Sequence, residues 1–446
     1  LVVKGKAGQG ENASALIVAR GGKIYAEGTG YNPIIFTGEA DDINNPLVPA
    51  ANEVGLWGGL IVLGKAQINQ PAGETNIEGI PTTEPRGMYG GSDDNDNSGY
   101  LKYVSIRHGG TEIGEGNEIN GLTMGAVGAG TTISHVEVWS NKDDGFEWFG
   151  GAVNCDHLIA AFCKDDAFDH DEGLRNKMQF LFAIQADSTG DALAEHDGAP
   201  GDFVGSQPYH YALTHNATYI GAGELGSSGS RALRLRENWG GGYINSIIAQ
   251  YPGIGVNVED KLTPDSRDRL ENGTLHLINN IWFGFGAGSS FEDIGGEEWT
   301  VAYLNDAANG NTIADPMFTS ISRAQDNGLD PRPKQGSPAW ENLAPITTDV
   351  DTRSIDTLPQ QFSLNANYPN PFNPTTNIQF DLALTGKVTL TVFNQLAQQV
   401  AVLVNGNMQA GAHEITWNAA TMPSGLYFAR LEAGNVVQTQ KMMLIK

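Results

Sequence analysis

Two stretches of the chain carry paired carboxylates at a fixed spacing. Residues 133–151 read ISHVEVWSNKDDGFEWFGG and residues 155–173 read CDHLIAAFCKDDAFDHDEG. Offset by 22 residues and without gaps, Asp143-Asp144 falls on Asp165-Asp166, Glu147 on Asp169, Lys142 on Lys164 and His135 on His157. Side chains that recur in this way on adjacent strands stack about 4.8 Å apart. Like charges so stacked repel, and a bound cation or the two lysines would offset the repulsion. The carboxylates offer only oxygen, and calcium takes about six to eight oxygen ligands. Asp143, Asp144, Asp165, Asp166 and Asp169 are therefore the candidate calcium ligands, with Asp171 and Glu172 extending the cluster. A competing reading gives these aspartates a structural task, capping corner amides as Asx turns or facing water. A second acidic run, Asp93-Asp94-Asn95-Asp96-Asn97, lacks the glycine and closing glutamate of an EF-hand loop.

The same carboxylates could cleave a sugar chain. Glycoside hydrolysis uses two carboxyl groups flanking the bond, one of them protonated. Asp165, Asp166 and Asp169 would supply them, with His170 nearby. An eliminating enzyme would need calcium carboxylates and an arginine or lysine base. Arg231, Arg234 and Arg236 lie in RALRLREN, where alternation puts Arg234 and Arg236 on one face and Leu233 and Leu235 on the other. The expectation for these arginines is a charged outer face on an ordinary strand. Trp139, Trp148, Phe149 and Trp239 could stack on sugar rings, although aromatics in such segments more often pack into a core. With Ile133 and Cys155 inward, strict alternation turns His135 and His157 inward too, as hydrogen-bonded core residues rather than zinc ligands. Cys155 and Cys163 bracket one extended strand, beyond disulfide reach, and are expected as free thiols. No Ser-His-Asp arrangement, phosphate loop or haem motif occurs.

The elements that position these residues are short strands separated by polar corners. A fixed period near 20 with short strands points to a solenoid. Leu101 to Gly110 (LKYVSIRHGG), Ile244 to Tyr251 (INSIIAQY) and Leu275 to Gly284 (LHLINNIWFG) fit the same template, their apolar residues alternating toward one side. Ala15 to Ala19, Lys23 to Ala26, Ile34 to Thr37 and Leu56 to Leu63 continue it toward the N-terminus. Three stretches break the period and read as insertions: Ile68 to Asn97, Thr189 to Gly229 and Asp260 to Asn272. Insertions in solenoids gather on one face and often build the binding surface. The repeat gives out near 315–340. Together these segments resemble the right-handed parallel β-helix proteins of bacterial surfaces, and the handedness is implied by that resemblance alone. Many such proteins are polysaccharide lyases or hydrolases. The Asp165-Asp166 pair is similar to the paired aspartates of pectin-hydrolysing members, whose Gly-His-Gly and Arg-Ile-Lys elements this chain lacks.

The last ninety or so residues differ in charge and pattern. From Thr357 onward, Asp381, Glu414 and Glu432 face Lys387, Arg430, Lys441 and Lys446, a net charge of +1, which leaves −27 of the total −26 on residues 1–356. Half-buried strands recur at Lys387 to Phe393, Glu414 to Trp417 and Leu426 to Leu431, with turn signals at Asn405-Gly406 and Ser424-Gly425. About seven short strands suit a small immunoglobulin-like sandwich. The run Tyr368-Pro369-Asn370-Pro371-Phe372-Asn373-Pro374, the strand start Pro423-Ser424-Gly425-Leu426-Tyr427-Phe428 and the ending Lys441-Met442-Met443-Leu444-Ile445-Lys446 closely resemble the C-terminal sorting domain of proteins exported by the bacterial type IX secretion system. The resemblance implies recognition by that machinery and a place outside the outer membrane, free or attached to the cell surface.

The expected organisation is thus an all-β chain: a parallel β-helix over 1–340, a linker over 341–357 and the sorting domain over 358–446. The net charge of −26 disfavours nucleic acid and anionic membranes as partners. No apolar run reaches the ~20 residues that span a bilayer, and the strand-like start at Leu1-Val2-Val3 suits a mature chain. Three functions fit. The leading expectation is a non-catalytic surface protein, structural or adhesive, that associates with itself or a surface polysaccharide. The alternatives are a polysaccharide lyase or hydrolase and a carbohydrate-binding protein without turnover.

Overall fold

The computed structural model describes residues 1–8, 14–45, 52–111, 119–201, 203–227, 229–324, 328–340, 362–382, 386–396, 398–408, 411–433 and 436–446. The chain divides into two compact units, Leu1–Leu343 and Ala344–Lys446. The expected linker over 341–357, and residues 358–361 of the expected tail, lie outside the described residues.

The first unit is a parallel β-helix. Strands one coil apart pair in parallel and build a fifteen-stranded and an eight-stranded sheet. A full coil gives one strand to the eight-stranded sheet and two to the other, as in Phe168–Asp171, Arg175–Gln179 and Phe182–Ile184. The 22-residue repeat is one such coil: Ile133 pairs with Cys155, Phe146 with Phe168 and Glu147 with Asp169. Its aligned glycines, Gly151 and Gly173, turn the same corner at φ +90 and +76. A β-carbon there would meet the Val127 carbonyl at 2.6 Å or the Pro208 carbonyl at 2.5 Å, so only glycine fits.

Stacked coils bury rows of side chains along the axis. The inward row of the eight-stranded sheet runs Val62, Met124, Trp148, His170, His196, Leu235, Val258. All seven are buried. Trp148 and Trp239 are core residues and Phe149 is almost fully covered, so none offers a sugar-stacking face. Cys155 and Cys163 are buried free thiols, and burial pushes the Cys163 thiol up to about 12.

The histidine expectation is overturned. His135 and His157 are left partly exposed, at 36% and 46% of their side-chain surface. Both sit at left-handed kinks, φ +56 and +53, within their strands. A kink of this kind resets the period of two, so that Ile133 before it and Val136 after it both face inward while His135 swings out. The row continues through Tyr103, Phe180, Asn216, Asn245 and Asn279, all at positive φ, and it creases the fifteen-stranded sheet lengthwise.

Two of the three insertions are also corrected. Thr189 to Gly229 contains a complete coil, Ala194–Asp197, Tyr211–His215 and Thr218–Ile220, whose long corners stretch the period and hide it. Ile68 to Asn97 holds an antiparallel hairpin, Glu74–Asn76 with Met88–Gly90. It buries Ile68, Ile77 and Tyr89 with Ile61, Leu63 and Phe149 of the eight-stranded sheet. The polar stretch 260–272 folds into a helix, Ser266–Glu271, capped reciprocally by Asp265 and Asp268. Two further short helices, Phe291–Ile294 and Glu298–Asn305, place Ile294 and Leu304 against the solenoid core.

The second unit is the expected seven-stranded sandwich. Ser363–Leu364, Thr375–Leu382 and Gly411–Asn418 form one antiparallel sheet. Gln399–Met408, Gly386–Asn394, Gly425–Ala433 and Val436–Leu444 form the other. Ile378, Phe380, Leu390, Trp417, Leu431 and Met442 lie in their shared core. The proline-rich lead-in runs along the last strand: Phe372 is buried and donates its N–H to the Met443 carbonyl at 2.9 Å, and Asn370 Oδ1 accepts the Met443 N–H at 2.9 Å. Proline cannot donate in this ladder, so the asparagine and phenylalanine between the prolines make the ties.

Candidate functional site

The outward row of the eight-stranded sheet changes character along the solenoid. It begins with Ile61 and Thr123, continues through Glu147, Asp169 and Glu195, and ends on Arg234 and Asn257. The corner before this sheet adds Asp143-Asp144, Asp165-Asp166 and Asp191 from three successive coils. Glu78, from the 68–97 insertion, and Asn120 complete the lining of a groove of about 230 Å³. Every lining residue is polar, and Arg234 is the cation among them. Carboxylate oxygens of Asp144, Glu147 and Asp169 lie within 4.8 Å of one another, as do those of Asp143, Asp144 and Asp165, and those of Asp165, Asp166 and Asp191.

Burial and mutual repulsion govern the electrostatics. Burial is the main force pushing Asp144, Glu147, Asp166, Asp169 and Asp171 well above the ordinary carboxylate range. A carboxylate on the same or a neighbouring coil pushes each further: Asp166 acts on Asp144, Asp169 on Glu147, Glu195 on Asp166, Asp171 on Asp169, and Asp197 on Asp171. Glu237 rises to about 7 through burial and then the charge of Asp197. Arg234 answers part of this charge by pairing with Asp191 at 2.5 Å and with Glu195. Arg236 pairs with both Asp197 oxygens, at 2.6 and 2.7 Å, and with Glu195.

Some oxygens are committed to the backbone. Asp144 Oδ1 accepts the N–H of Asp166 at 2.8 Å, and Asp166 Oδ1 accepts the N–H of Ala192. Others are not. Among the described residues, Asp169 Oδ1 and Asn120 Oδ1 are buried without a hydrogen-bond partner, and both residues line the groove. Asn120 gives its amide N–H to Glu147 instead. A donor set of clustered carboxylates plus a carboxamide oxygen fits a hard divalent cation such as calcium.

All five aspartates proposed from sequence, 143, 144, 165, 166 and 169, line this one groove. Glu172 does not; it is buried beside it, accepting the Tyr89 hydroxyl at 2.7 Å. Arg234 and Arg236 do point outward, and they belong to the carboxylate lattice rather than to a plain charged face. Arg231 is exposed at the strand's start. The 93–97 run is structural: Asp94 holds Arg175 at 2.7 and 2.8 Å, and Asp96 caps the Lys65 N–H at 3.1 Å. Sequence reasoning missed Asp191, Glu195 and Glu78. A signal for Glu195 was present, since Glu195-His196-Asp197 repeats Asp169-His170-Asp171 at a spacing of 26. A larger cavity of about 430 Å³ lies elsewhere on the solenoid, lined by Phe283, Phe285, Ile294 and Ile313 with Glu224 and Asp315. No carboxylate cluster accompanies it among the described residues.

Comparison with known proteins places the chain in a family. The pectate-lyase like β-helix domain matches residues 2–317, and the secretion system C-terminal sorting domain matches residues 366–446. No curated protein matches. Among solved structures, the crystal structure of pectate lyase Pel9A is similar at 12% identity, covering 75% of this chain and 81% of that one, with a TM-score of 0.34. A tailspike protein of an Acinetobacter baumannii bacteriophage, a capsular polysaccharide depolymerase, is similar at 9% identity, covering 98% of this chain and 74% of that one, with a TM-score of 0.17. No helix among the described residues is long and apolar enough to cross a membrane. The sorting domain links the protein to the type IX secretion machinery and gives it a secreted or surface-attached location. The chain is a secreted β-helix protein that belongs to the pectate-lyase like β-helix family.

Proposed function

We propose that the solenoid binds and depolymerises an acidic polysaccharide outside the cell, with a divalent cation held in the groove. The observation that supports this reading is the ladder of buried Asp144, Glu147 and Asp166 with half-buried Asp169, and a single arginine lining the same groove. A surface built only to face water has no need to concentrate so much like charge. The residues that would hold calcium are Asp143, Asp144, Glu147, Asp165, Asp166 and Asp169. When bound, the cation supplies positive charge that neutralises the carboxylate of an acidic sugar and lets it enter an acidic groove. The family's pectate-lyase likeness makes uronate chains the first substrates to test.

The chain's own residues then divide the work. Arg234 is held as a cation by Asp191 and Glu195. Its guanidinium is placed to orient a sugar carboxylate, and so paired it keeps its proton and is no base. Proton transfer falls to those of Asp165, Asp166 and Asp169 that the cation leaves uncoordinated, since a carboxylate bound to calcium is ionised. Neighbouring carboxyls that push each other upward cannot all ionise, which leaves one protonated beside one ionised. That pairing is what acid–base cleavage of a glycosidic link requires.

A second reading, a non-catalytic structural or adhesive surface protein, is favoured by one observation. Asp144 and Asp166 both cap backbone amides of the next coil, a task that needs no ligand. An assay of chain length on acidic and neutral polysaccharides, with calcium and with chelator, separates the two. Shortened acidic chains in calcium alone support an enzyme. Unsaturated products then mark elimination, and new reducing ends without unsaturation mark hydrolysis. Calcium-dependent retention of an uncut polysaccharide would favour the second reading.

A further inference from the structure

The kinked row on the creased sheet carries a cluster that the groove does not use. His135 and His157 stack with ring centroids 4.2 Å apart and planes 10° from parallel. Tyr103 lies 4.4 Å from His135 on one side, and Phe180 lies 4.9 Å from His157 on the other. Asp156, on the same coil as His157, lies beside both imidazoles. Its Oδ1 is 2.6 Å from His157 Nδ1 and 3.9 Å from His135 Nδ1. Ser134 Oγ steadies the group, 2.7 Å from Asp156 Oδ1 and 2.8 Å from His135 Nδ1. All three candidate ligands reach solvent, with between 36% and 46% of their side-chain surface exposed.

We propose that His135, Asp156 and His157 form a second metal site, selective for a borderline transition cation such as zinc rather than for calcium. Donor chemistry separates it from the groove: imidazole nitrogen suits zinc and copper, whereas the oxygen-only groove suits calcium. Geometry permits closure. One donor atom from each residue lies within 4.8 Å of the other two. Tetrahedral zinc with bonds near 2.0–2.1 Å needs donors about 3.4 Å apart, a shift that exposed side chains reach by small rotations. The backbone is what places them there. In the same row the later coils carry Asn216, Asn245 and Asn279, and asparagine tolerates positive φ. Histidine shares that tolerance, and two successive coils hold it there with both rings turned toward one carboxylate.

The test is calorimetric titration of the full chain with zinc chloride, in excess calcium so that the acidic groove is already engaged. One zinc per chain is expected. His157→Gln and Asp156→Asn should each weaken binding by at least about tenfold, a loss that even outer-shell changes produce at metal sites. Asp166→Asn should leave zinc affinity unchanged. Melting temperatures of the variants verify folding. Wild-type affinity in His157→Gln, or the absence of zinc heat in the wild type, overturns the proposal. Loss of zinc binding in Asp166→Asn but not in His157→Gln places the zinc in the groove and overturns it equally.

Discussion

Asp144 reaches across one coil to accept the backbone N–H of Asp166 at 2.8 Å through Oδ1. Asp166 does the same for Ala192 on the following coil. The carboxylates that crowd the groove are therefore also rivets between coils. Their charge and their hydrogen bonding can be separated by mutation.

Asp166→Asn keeps an oxygen for the Ala192 amide and removes a negative charge from the ladder. The metal-free variant should melt at or above the wild-type temperature, and calcium should raise its melting temperature less. Asp166→Ala removes the oxygen too and leaves a buried N–H without a partner. It should be less stable than Asp166→Asn by about 1–3 kcal/mol. Thermal unfolding of both variants with calcium and with chelator checks the pair.

The raised carboxylates give a signed dependence on pH. A group whose folded pKa lies above its unfolded value favours the folded state at low pH, and that stability is lost as pH rises through the folded pKa. For Asp144, Glu147, Asp166, Asp169 and Asp171 the loss begins above the ordinary carboxylate range near 4. The buried histidines act in the opposite sense. Burial lowers His170 and His210 well below their usual value, and lowers His196 to about 3. Their stabilisation is complete above the unfolded histidine pKa near 6.5 and is lost as pH falls below it. Above about pH 6.5 the histidine effect is complete, and Glu237, raised to about 7, still loses stability as pH rises through its folded value. Metal-free protein should then melt progressively lower with rising pH, and calcium should flatten the slope. Melting curves at stepped pH in chelator and in calcium measure this.

His170 is buried in the core, and neither of its ring nitrogens finds a partner among the described residues. His170→Leu replaces an unpartnered polar ring with an apolar side chain. It should stabilise the protein at acidic pH, by roughly 1–3 kcal/mol at most, and by less at neutral pH. Denaturant unfolding at two pH values tests the ordering. Equal loss of stability at both would mean that the ring's packing against Trp148, 5.2 Å away, outweighs its polarity.

Arg234 holds Asp191 and Glu195 together. Arg234→Gln should cost roughly 1.5–3 kcal/mol, the range for hydrogen bonds to charged groups. Adding Asp191→Asn should recover part of that loss, because it removes a carboxylate left without the Arg234 cation. A double-mutant cycle by denaturant unfolding gives the coupling.

Much of this architecture is legible in the residues. The coil shows because Ile133 and Cys155, Phe146 and Phe168, and the two corner glycines recur without a gap. The five aspartates come together because they occupy equivalent places in that repeat. Glu195 and Asp191 escaped because the corner at 185–193 is longer than its counterpart at 162–167, which stretches the spacing from 22 to 26 residues. Glu78 reaches the groove from an insertion, and no periodicity announces such a residue. The histidines failed for a local reason. Alternation assumes extended backbone throughout, and one left-handed residue per strand reverses the side chain's direction without leaving a mark in the apolar pattern.

The most direct test of the groove's proposed role is the rate at which a polyuronate chain is shortened as free calcium is raised, for wild type and for Asp169→Asn. The account predicts no shortening in chelator, a rate that rises and saturates with calcium in the wild type, and a loss of at least about a hundredfold in Asp169→Asn, the scale of a missing acid–base group. A wild-type protein that leaves the chain intact at every calcium concentration, or an Asp169→Asn variant that cleaves at the wild-type rate, would contradict it.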